Sequence, residues 1–255
     1  MIAWAASPFG RIVTRVLLVL ACLAFWQFIP VSRAVRFWMS SPSLIAEQFW
    51  LWLLDGTLWF HLQASLYVMA QGYVIGSAFG IVFGFLLGHF RRVHRVLTPF
   101  LSAVYAVPKI ALTPLFIILL GVDNASKIAL VGVTVFFLIL TATIDGVRDV
   151  DHDMVQSFSL MGATRLEIVR KLLIPASLPW IFTGMRIAVR YAFTNTLLAE
   201  LIASNRGLGF LIEFNSGNFN TTGSYAAIFA LVLCSVGLTE LLSRGEARIA
   251  RWRLP

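Results

Sequence analysis

Residues 64–88, ASLYVMAQGYVIGSAFGIVFGFLLG, decide the fold class, because the stretch contains no Asp, Glu, Lys or Arg. About 20 predominantly apolar residues are enough for a helix to cross the hydrocarbon core of a bilayer. The stretch exceeds that length without a single formal charge. It therefore predicts a membrane-spanning helix.

Glycine recurs at every fourth position along this span. Positions four apart in an α-helix drift by only about 40° around the axis, so the glycines form one slowly winding stripe. Small residues on such a stripe let two helix backbones approach closely in a membrane. The stripe predicts a helix-packing seam, which is either a fixed contact or a surface that slides during a conformational cycle. Its members are Gly72, Gly76, Gly80, Gly84 and Gly88.

The rest of the chain has the composition of a polytopic membrane protein. Hydrophobic residues make up 59% and charged residues 13%, and the mean hydropathy is +0.84. Soluble domains carry about 25% charged residues. We therefore expect an all-α fold that forms one transmembrane domain over residues 1–255. Six spans are predicted, at residues 12–30, 64–88, 98–120, 128–145, 180–202 and 224–243.

Basic residues are distributed unevenly between the two sides of the membrane. Of the 20 Lys and Arg residues, three lie inside predicted spans, thirteen fall on the side that carries both termini, and four fall on the other side. Cytoplasmic loops are enriched in Lys and Arg. The bias predicts that both termini are cytoplasmic. It also accounts for the net charge of +8 without nucleic acid, since no basic block is interleaved with stacking aromatic residues.

The first 62 residues contain two further predicted elements. Residues 12–30 follow Arg11 and Arg15 but precede no small-x-small cleavage site, so we interpret them as an uncleaved first span rather than a signal peptide. Residues 38–62 are rich in Trp and Phe, and Ser41 or Ser43 is placed to cap a helix that starts near Pro42. This segment is predicted to be an interfacial helix on the outer face, with a short buried helix as the alternative.

The connection between the fourth and fifth spans, residues 146–179, contains more charged residues than the predicted spans on either side of it. Asp151 or Asp153 is placed to cap a short helix, which Gly162 then ends. Thr164 and Glu167 have the spacing of a capping box, which starts a second helix. Pro175 and Pro179 are expected to lead into the fifth span.

Both short helices of this connection are amphipathic. The predicted apolar residues are Val155, Phe158 and Leu160 or Met161 on the first helix, and Leu166, Val169, Leu172 and Leu173 on the second. Two short helices joined at a glycine would form a knuckle that projects from the cytoplasmic face. An apolar tip on such a knuckle is typical of a docking site for another protein.

Several polar residues fall inside the predicted spans. A charge that faces lipid is costly, so these side chains should face protein, water or the membrane interface. Lys109 lies between two prolines, which predicts a broken or kinked helix. The basic residues either attract an anion in transit or extend to the interface, and Glu200 either pairs with a basic group or ends near the outer surface. The candidates for a translocation path are Lys109, Arg186, Arg190, Asn195 and Glu200.

The knuckle sequence resembles the cytoplasmic loop of permease subunits of ATP-binding-cassette importers. The family pattern is Glu-Ala-Ala, three residues, Gly, nine residues, then Ile-x-Leu-Pro. Gly162 falls on the glycine, while Leu172, Ile174 and Pro175 fall on the final motif. Gln156, Ser157 and Phe158 occupy the Glu-Ala-Ala positions, which is a departure from the pattern.

The resemblance covers about residues 38–245 and is closest to permeases for sulfonate, taurine and nitrate, and for thiamine or riboflavin precursors. It is carried also by the stretches GFLLGHFRRVHRVLTPFLSAVYAVPKIALTPLFIILLG (84–121), LIPASLPWIFTGMRIAVRYAF (173–193) and LLAELIASNRGLGFLI (197–212). It implies six spans per subunit in the bacterial inner membrane, with two permease copies around a central path. It also implies two cytoplasmic ATPase subunits and an extracytoplasmic solute-binding protein.

The same resemblance implies that residues 150–168 hold the coupling helix that contacts the ATPase. The chain itself would not be an enzyme and would hold no cofactor, since ATP and Mg would bind the partner ATPase. In agreement, the sequence has no G-x-x-x-x-G-K-[ST] phosphate loop. The candidate coupling residues are Gln156, Ser157, Phe158, Met161, Gly162, Ala163, Thr164, Arg165, Glu167 and Pro175.

The expected solute is a small organic or inorganic anion, with a vitamin precursor or an aromatic solute as the alternative. Two other classes remain open. A self-contained secondary transporter or channel would need inverted repeats or acidic residues deep in its spans. An intramembrane enzyme would need a nucleophile or a metal-ligating cluster within the membrane.

Overall fold

The structure is a computed structural model that describes residues 8–29 and 32–249. Every regular element within these residues is helical, and the turns between elements are short. The helices are α1 (Pro8–Phe28), α2 (Arg33–Met39), α3 (Pro42–Leu54), α4 (Thr57–His89), α5 (Arg91–Ala106), α6 (Thr113–Leu120), α7 (Asn124–Arg148), α8 (His152–Leu160), α9 (Arg165–Ile168), α10 (Ile174–Ile202), α11 (Leu208–Gly217) and α12 (Thr221–Ile249). A 3₁₀ turn, Lys109–Leu112, precedes α6, and a π-helical turn, Val169–Leu173, joins α9 to α10.

Four helical stretches among the described residues are long and apolar enough to cross a membrane: Thr57–His89, Asn124–Arg148, Arg165–Ile202 and Thr221–Leu241. A fifth candidate is the bent pair Arg92–Ala106 and Lys109–Leu120. The predicted first span corresponds to a shorter apolar helix, Val13–Phe28. Each predicted span therefore has a helical counterpart, although the helices extend beyond the predicted bounds at most ends.

The third span is broken, as its prolines predict. Helix α5 ends at Ala106, and the two halves meet at an angle of 84°. Val107 is extended with φ −70° and ψ 126°, the conformation that a following proline favours. The chain resumes helical structure only after Pro108, and Pro114 lies in the first turn of α6, where a missing N–H costs nothing.

The glycine stripe of α4 packs against α7. A Cβ built on Gly72 would lie 2.6 Å from Val131 Cβ, and one built on Gly80 would lie 2.9 Å from the Phe136 carbonyl oxygen. Real Cβ atoms essentially never come that close, so only glycine permits this approach. Gly76, Gly84 and Gly88 make the equivalent contacts with Val135, Thr143 and Val147.

The partner surface on α7 has the same period as the glycine stripe. Its contact residues recur every four positions and are all β-branched, so their χ1 angles are stiff. A slide along the seam would require every one of these side chains to clear its glycine at the same time. The geometry therefore favours a fixed contact. These α7 residues are Val131, Val135, Ile139, Thr143 and Val147.

Helix α10 packs along the same α7. A Cβ on Gly146 would lie 2.7 Å from Trp180 Cβ, and one on Gly184 would lie 2.5 Å from Ala142 Cβ. Small residues of α10, including Ala188 and Ala192, are fully buried. Helix α7 is thus enclosed on two sides and supplies the centre of the core, with Leu130, Val131, Val135, Ile139 and Leu140 fully buried.

The outer segment 38–62 is not one helix, in contrast to the prediction. Of the two residues predicted to cap this helix, Ser41 is the N-cap residue of α3. Its side chain makes no capping hydrogen bond. The helix ends at Leu54, because the chain then turns through Gly56 at φ +83°. Residues 57–62 belong to α4 instead. Helix α3 buries Ile45 and Trp52 and exposes Trp50, so it is partly covered by protein.

The described chain divides into two compact units. One comprises residues 8–29, 32–59 and 211–233, and the other comprises residues 60–210 and 234–249. In the first unit, Trp26 packs edge-on against Tyr225 with ring centroids 5.9 Å apart, and the Ser40 and Thr222 hydroxyls are 2.8 Å apart. The second unit contains the glycine seam and the knuckle. A single permease domain over residues 1–255 stays a prediction.

Candidate functional site

The first helix of the knuckle, α8, has well-formed caps at both ends. Asp151 is its N-cap, and the Asp151 carboxylate accepts a hydrogen bond of 2.9 Å from the Asp153 N–H. At the other end, Gly162 N–H donates to Ser159 O at 3.0 Å and Ala163 N–H donates to Phe158 O at 3.1 Å. This pair of bonds is a Schellman motif, which places the residue after the cap in the left-handed region. Gly162 has φ +82° accordingly.

The second helix, α9, begins at Arg165, three residues after Gly162. Thr164 is its N-cap and accepts from the Glu167 N–H at 3.3 Å, while the Glu167 carboxylate accepts from the Thr164 N–H at 3.0 Å. This is the predicted capping box. Lys171 adds an ion pair of 2.9 Å with Glu167. The two helices are therefore joined by a short turn whose conformation is set by backbone and side-chain hydrogen bonds.

A small apolar core holds the knuckle together. Ile168, Leu172 and Leu173 are buried, and Val155 and Phe158 of α8 pack against them. Leu166 was predicted to lie on this apolar face, but it is 58% exposed. The prediction for Leu166 is wrong because the chain turns from α-helical to π-helical geometry at Val169, so the 3.6-residue period does not continue through the element.

The tip of the knuckle is apolar and exposed. Leu160 is 89% exposed and Met161 is 82% exposed, whereas the Val155 and Phe158 side chains on the same short segment face the small core. Two large apolar side chains at the end of a projecting turn are costly in water unless a partner covers them. Gln156, Ser157 and Arg165, which lie on either side of the tip in sequence, are also exposed.

The base of the knuckle continues directly into a span, which differs from the prediction of a separate loop up to residue 179. Helical structure runs unbroken from Arg165 to Ile202 through the π-helical turn. Pro175 lies in the first turn of α10, where its missing N–H is tolerated, and Pro179 lies inside that helix. Trp180 donates from Nε1 to Asp149 Oδ2 at 3.2 Å, which connects α10 to the start of the knuckle. A displacement of the knuckle would therefore be transmitted to α10.

Gly162→Val should disturb the knuckle through backbone strain alone. No atom lies within 4 Å of a Cβ built on Gly162, so the new side chain has space, but φ +82° is strained for a β-branched residue by about 1–2 kcal/mol. If the knuckle couples to an ATPase, as the resemblance implies, we expect normal membrane insertion and about tenfold lower ATP-dependent uptake in vesicles.

Two variants calibrate this result. Gly162→Asn should be milder, because Asn tolerates the left-handed region. Gly121→Val, at φ +81° and ψ 176° in open space outside the knuckle, carries at least as much backbone strain and should leave coupling near wild type. Wild-type uptake by Gly162→Val would contradict a coupling role for this turn.

The predicted path residues do not form one cluster. Lys109 donates from Nζ to Tyr105 O at 2.7 Å and lies 4.3 Å from the Tyr105 ring centroid, so its charge is held at the break in the third span. Arg186 and Arg190 lie four residues apart and are exposed on the surface of α10. Asn195 is buried and donates to Tyr191 O at 2.8 Å within the same helix.

Glu200 is enclosed by the protein rather than exposed along a path, since it is only 2% exposed. Its Oε2 accepts from Ser65 Oγ at 2.8 Å and from the Gly209 N–H at 3.0 Å. The prediction that Glu200 lines a path is corrected by this burial. Its carboxylate instead binds the start of α11 to α4 and α10.

The turn before α11 is held by further buried polar contacts that the sequence did not reveal. Gly207 N–H donates to His61 Nδ1 at 3.1 Å, and Leu208 N–H donates to Ser65 Oγ at 2.8 Å. Lys127, only 3% exposed, donates from Nζ to Ser204 Oγ at 2.8 Å and attracts Glu200 electrostatically. The only hint in the sequence was a lysine near the start of a span, which an interfacial position would explain equally well.

Comparison with known proteins identifies the family. Residues 76–251 match the family described as binding-protein-dependent transport system inner membrane component. That match covers more than half of the chain and includes the knuckle. The chain belongs to this family. It is thus a multi-pass inner-membrane permease of the ATP-binding-cassette importer class.

Individual relatives carry names for several solutes. The permease is 32% identical to the riboflavin transport system permease protein RibX of Chloroflexus aurantiacus, over 90% of this chain and 86% of that protein. It is also 32% identical to the putative aliphatic sulfonates transport permease protein SsuC of Bacillus subtilis, over 91% of this chain and 84% of that protein. The taurine transport system permease protein TauC of Escherichia coli is 32% identical over 78% of this chain and 72% of that protein.

A solved structure shares the fold. The permease aligns with a chain of the inward-facing MetNI methionine ABC transporter at a TM-score of 0.65 and 20% identity, over 80% of this chain and 97% of that chain. The likeness supports the arrangement of helices described above.

Proposed function

We propose that this permease forms the membrane path of an importer for a small anion of the sulfonate, taurine or nitrate class, and that its knuckle docks into a separate ATPase subunit. The observation that carries the docking proposal is the exposed pair Leu160 and Met161 at the end of a knuckle whose core residues Ile168, Leu172 and Leu173 are buried. An apolar tip within a polar rim is the usual anatomy of a protein-binding site.

The proposed assembly contains two permease copies, two ATPase subunits and an extracytoplasmic binding protein. Each permease copy offers one knuckle, so two copies match a pair of ATPases. Both termini and the knuckle lie in the cytoplasm, according to the distribution of Lys and Arg. ATP and Mg bind the ATPase, and the permease performs no covalent chemistry.

The proposed mechanism is mechanical. Closure of the ATPase pair on ATP moves the two knuckles together, and the continuous helix Arg165–Ile202 carries that motion into the membrane. The fixed seam between α4 and α7 makes these helices move together. Hydrolysis then lets the knuckles separate, and the solute leaves toward the cytoplasm.

The anion assignment draws on the positive residues Lys109, Arg186 and Arg190 and on the names of the sulfonate and taurine relatives. A vitamin precursor is the second candidate, because relatives are named for riboflavin and formylaminopyrimidine. The anion and the vitamin precursor are distinguished by measuring uptake of radiolabelled taurine in competition with an alkyl sulfonate, nitrate or riboflavin. Competition by riboflavin alone would overturn the anion assignment.

Met161→Asp should prevent ATPase docking. The Asp carboxylate would be buried without a partner at the centre of an apolar interface. The loss of such an interface contact weakens binding of the ATPase by about 30-fold. The measurement is co-purification of the ATPase with the tagged permease, followed by assay of ATP hydrolysis.

Met161→Leu is the matched control and should retain the ATPase, since it keeps an apolar side chain of similar volume. Equal recovery of the ATPase with Met161→Asp and wild type would overturn the docking proposal. Solute movement by the permease alone in liposomes without ATP would instead support a secondary transporter.

A further inference from the structure

A basic pocket lies between α5 and the end of α7, apart from the knuckle tip. Its volume is about 600 Å³, and it is lined by His94, Arg95, Thr98 and Pro99 of α5 and by Arg148 of α7. Three of the five lining residues are basic side chains, and none is acidic. The pocket therefore has the charge expected of an anion site.

Arg148 carries the positive charge on the α7 side of this pocket. Its Nε is buried and has no hydrogen-bond partner within the described part of the chain. A buried donor without a partner is costly, and the cost is greatest for a charged group. Nε is not reached from the pocket, so Arg148 contributes its positive charge to the lining. A guanidinium binds phosphate oxygens in a planar, two-point geometry.

The contacts of Thr98 define which nitrogen of His94 remains for a ligand. The Thr98 hydroxyl donates to His94 O at 2.7 Å, and its oxygen lies 3.1 Å from His94 Nδ1. Because the hydroxyl proton is already used, Nδ1 must donate to Thr98. In the neutral ring, Nε2 then carries a lone pair and can accept from a ligand hydroxyl; it donates to an anionic oxygen only when the ring is protonated.

The position of the pocket indicates where the anion comes from. Gly88 at the end of α4 packs on Val147 at the end of α7, so the pocket lies where two spans finish together. This is the level of lipid headgroups. Asp145, which lies close enough to attract His94 electrostatically, is exposed to solvent and does not line the pocket.

We infer that this pocket binds a phosphate group, and that the phosphate belongs to the headgroup of an anionic membrane lipid. Basic pockets between transmembrane helices at the cytoplasmic side are recognised headgroup sites. The volume accommodates a phosphate diester with part of its glycerol. The site does not depend on the ATPase, and it would place a lipid against α5 and α7 at the base of the glycine seam.

Native mass spectrometry of the full-length permease with added cardiolipin tests this inference. Each basic residue near a membrane surface contributes about fivefold to anionic-lipid affinity, so Arg95→Gln should weaken cardiolipin retention about fivefold. Arg95→Gln with Arg148→Gln should weaken it about 30-fold. Arg95 is exposed, so its replacement should not affect folding even where that of Arg148 does.

Arg206→Gln removes the same charge from a solvent-exposed loop and should leave retention unchanged. Phosphatidylcholine should bind all variants equally weakly. Retention of cardiolipin in 10 mM inorganic phosphate identifies the lipid as the ligand, whereas displacement identifies soluble phosphate at the same pocket. If Arg95→Gln and the double variant both retain cardiolipin within about twofold of wild type, the pocket binds neither the lipid headgroup nor free phosphate.

Discussion

Gly76→Ala is expected to destabilise the permease by about 2–3 kcal/mol, although alanine is normally the better helix former by about 1 kcal/mol. A Cβ at this position would lie 2.9 Å from Val135 Cβ and 3.0 Å from Phe136 N, and closer still to the Gly132 carbonyl oxygen. Two of these three neighbours are backbone atoms, which cannot rotate away. The α4 and α7 backbones would have to separate, and the neighbouring seam contacts would loosen with them.

Gly237→Ala is the matched control. Gly237 also lies inside a long helix, α12, but no atom is within 4 Å of its Cβ position. The same substitution should there be neutral or stabilising by up to about 1 kcal/mol. Thermal unfolding of the two variants in detergent should thus give shifts in Tm of opposite sign. Equal shifts would mean that the seam is not the close contact described above.

Glu200→Ala is expected to have the second large effect, a loss of about 3–5 kcal/mol, because a buried carboxylate that satisfies two donors and attracts the buried Lys127 is lost. The substitution also removes the acceptor of the Ser65 hydroxyl and of the Gly209 N–H. The turn that precedes α11 should lose its attachment to α4. The free energy of unfolding and the proteolytic susceptibility of residues 203–209 measure these two consequences.

Three further variants separate charge from shape. Glu200→Gln keeps the acceptor oxygen and should fall between wild type and Glu200→Ala. Glu200→Ala with Lys127→Met removes both buried charges and should recover part of the loss, because no buried ammonium then remains without the attraction of Glu200. Glu213→Ala, an exposed glutamate on α11, should change stability by less than about 0.5 kcal/mol. A double variant no more stable than Glu200→Ala would argue against the coupling of Lys127 to Glu200.

Local signals in the sequence predicted the parts of the site that short-range chemistry determines. Asp151, Gly162, Thr164 and Glu167 act on backbone groups within about four residues, so their spacing alone indicates two helices joined at a left-handed turn. The break around Pro108 was predictable for the same reason.

The amino-acid sequence by itself determined that this chain is an all-helical membrane protein and which residues turn the knuckle, because length, hydropathy and capping are local properties. Tertiary structure decided that α7 receives the glycine stripe, that Glu200 is buried beside Lys127 and that Arg148 meets His94. Ser65 and Glu200 are 135 residues apart in sequence, and no periodic pattern relates them. The β-branched residues from Val131 to Val147 were not singled out from the sequence, and only packing shows that they fit the glycines of α4, because complementary surfaces meet in three dimensions.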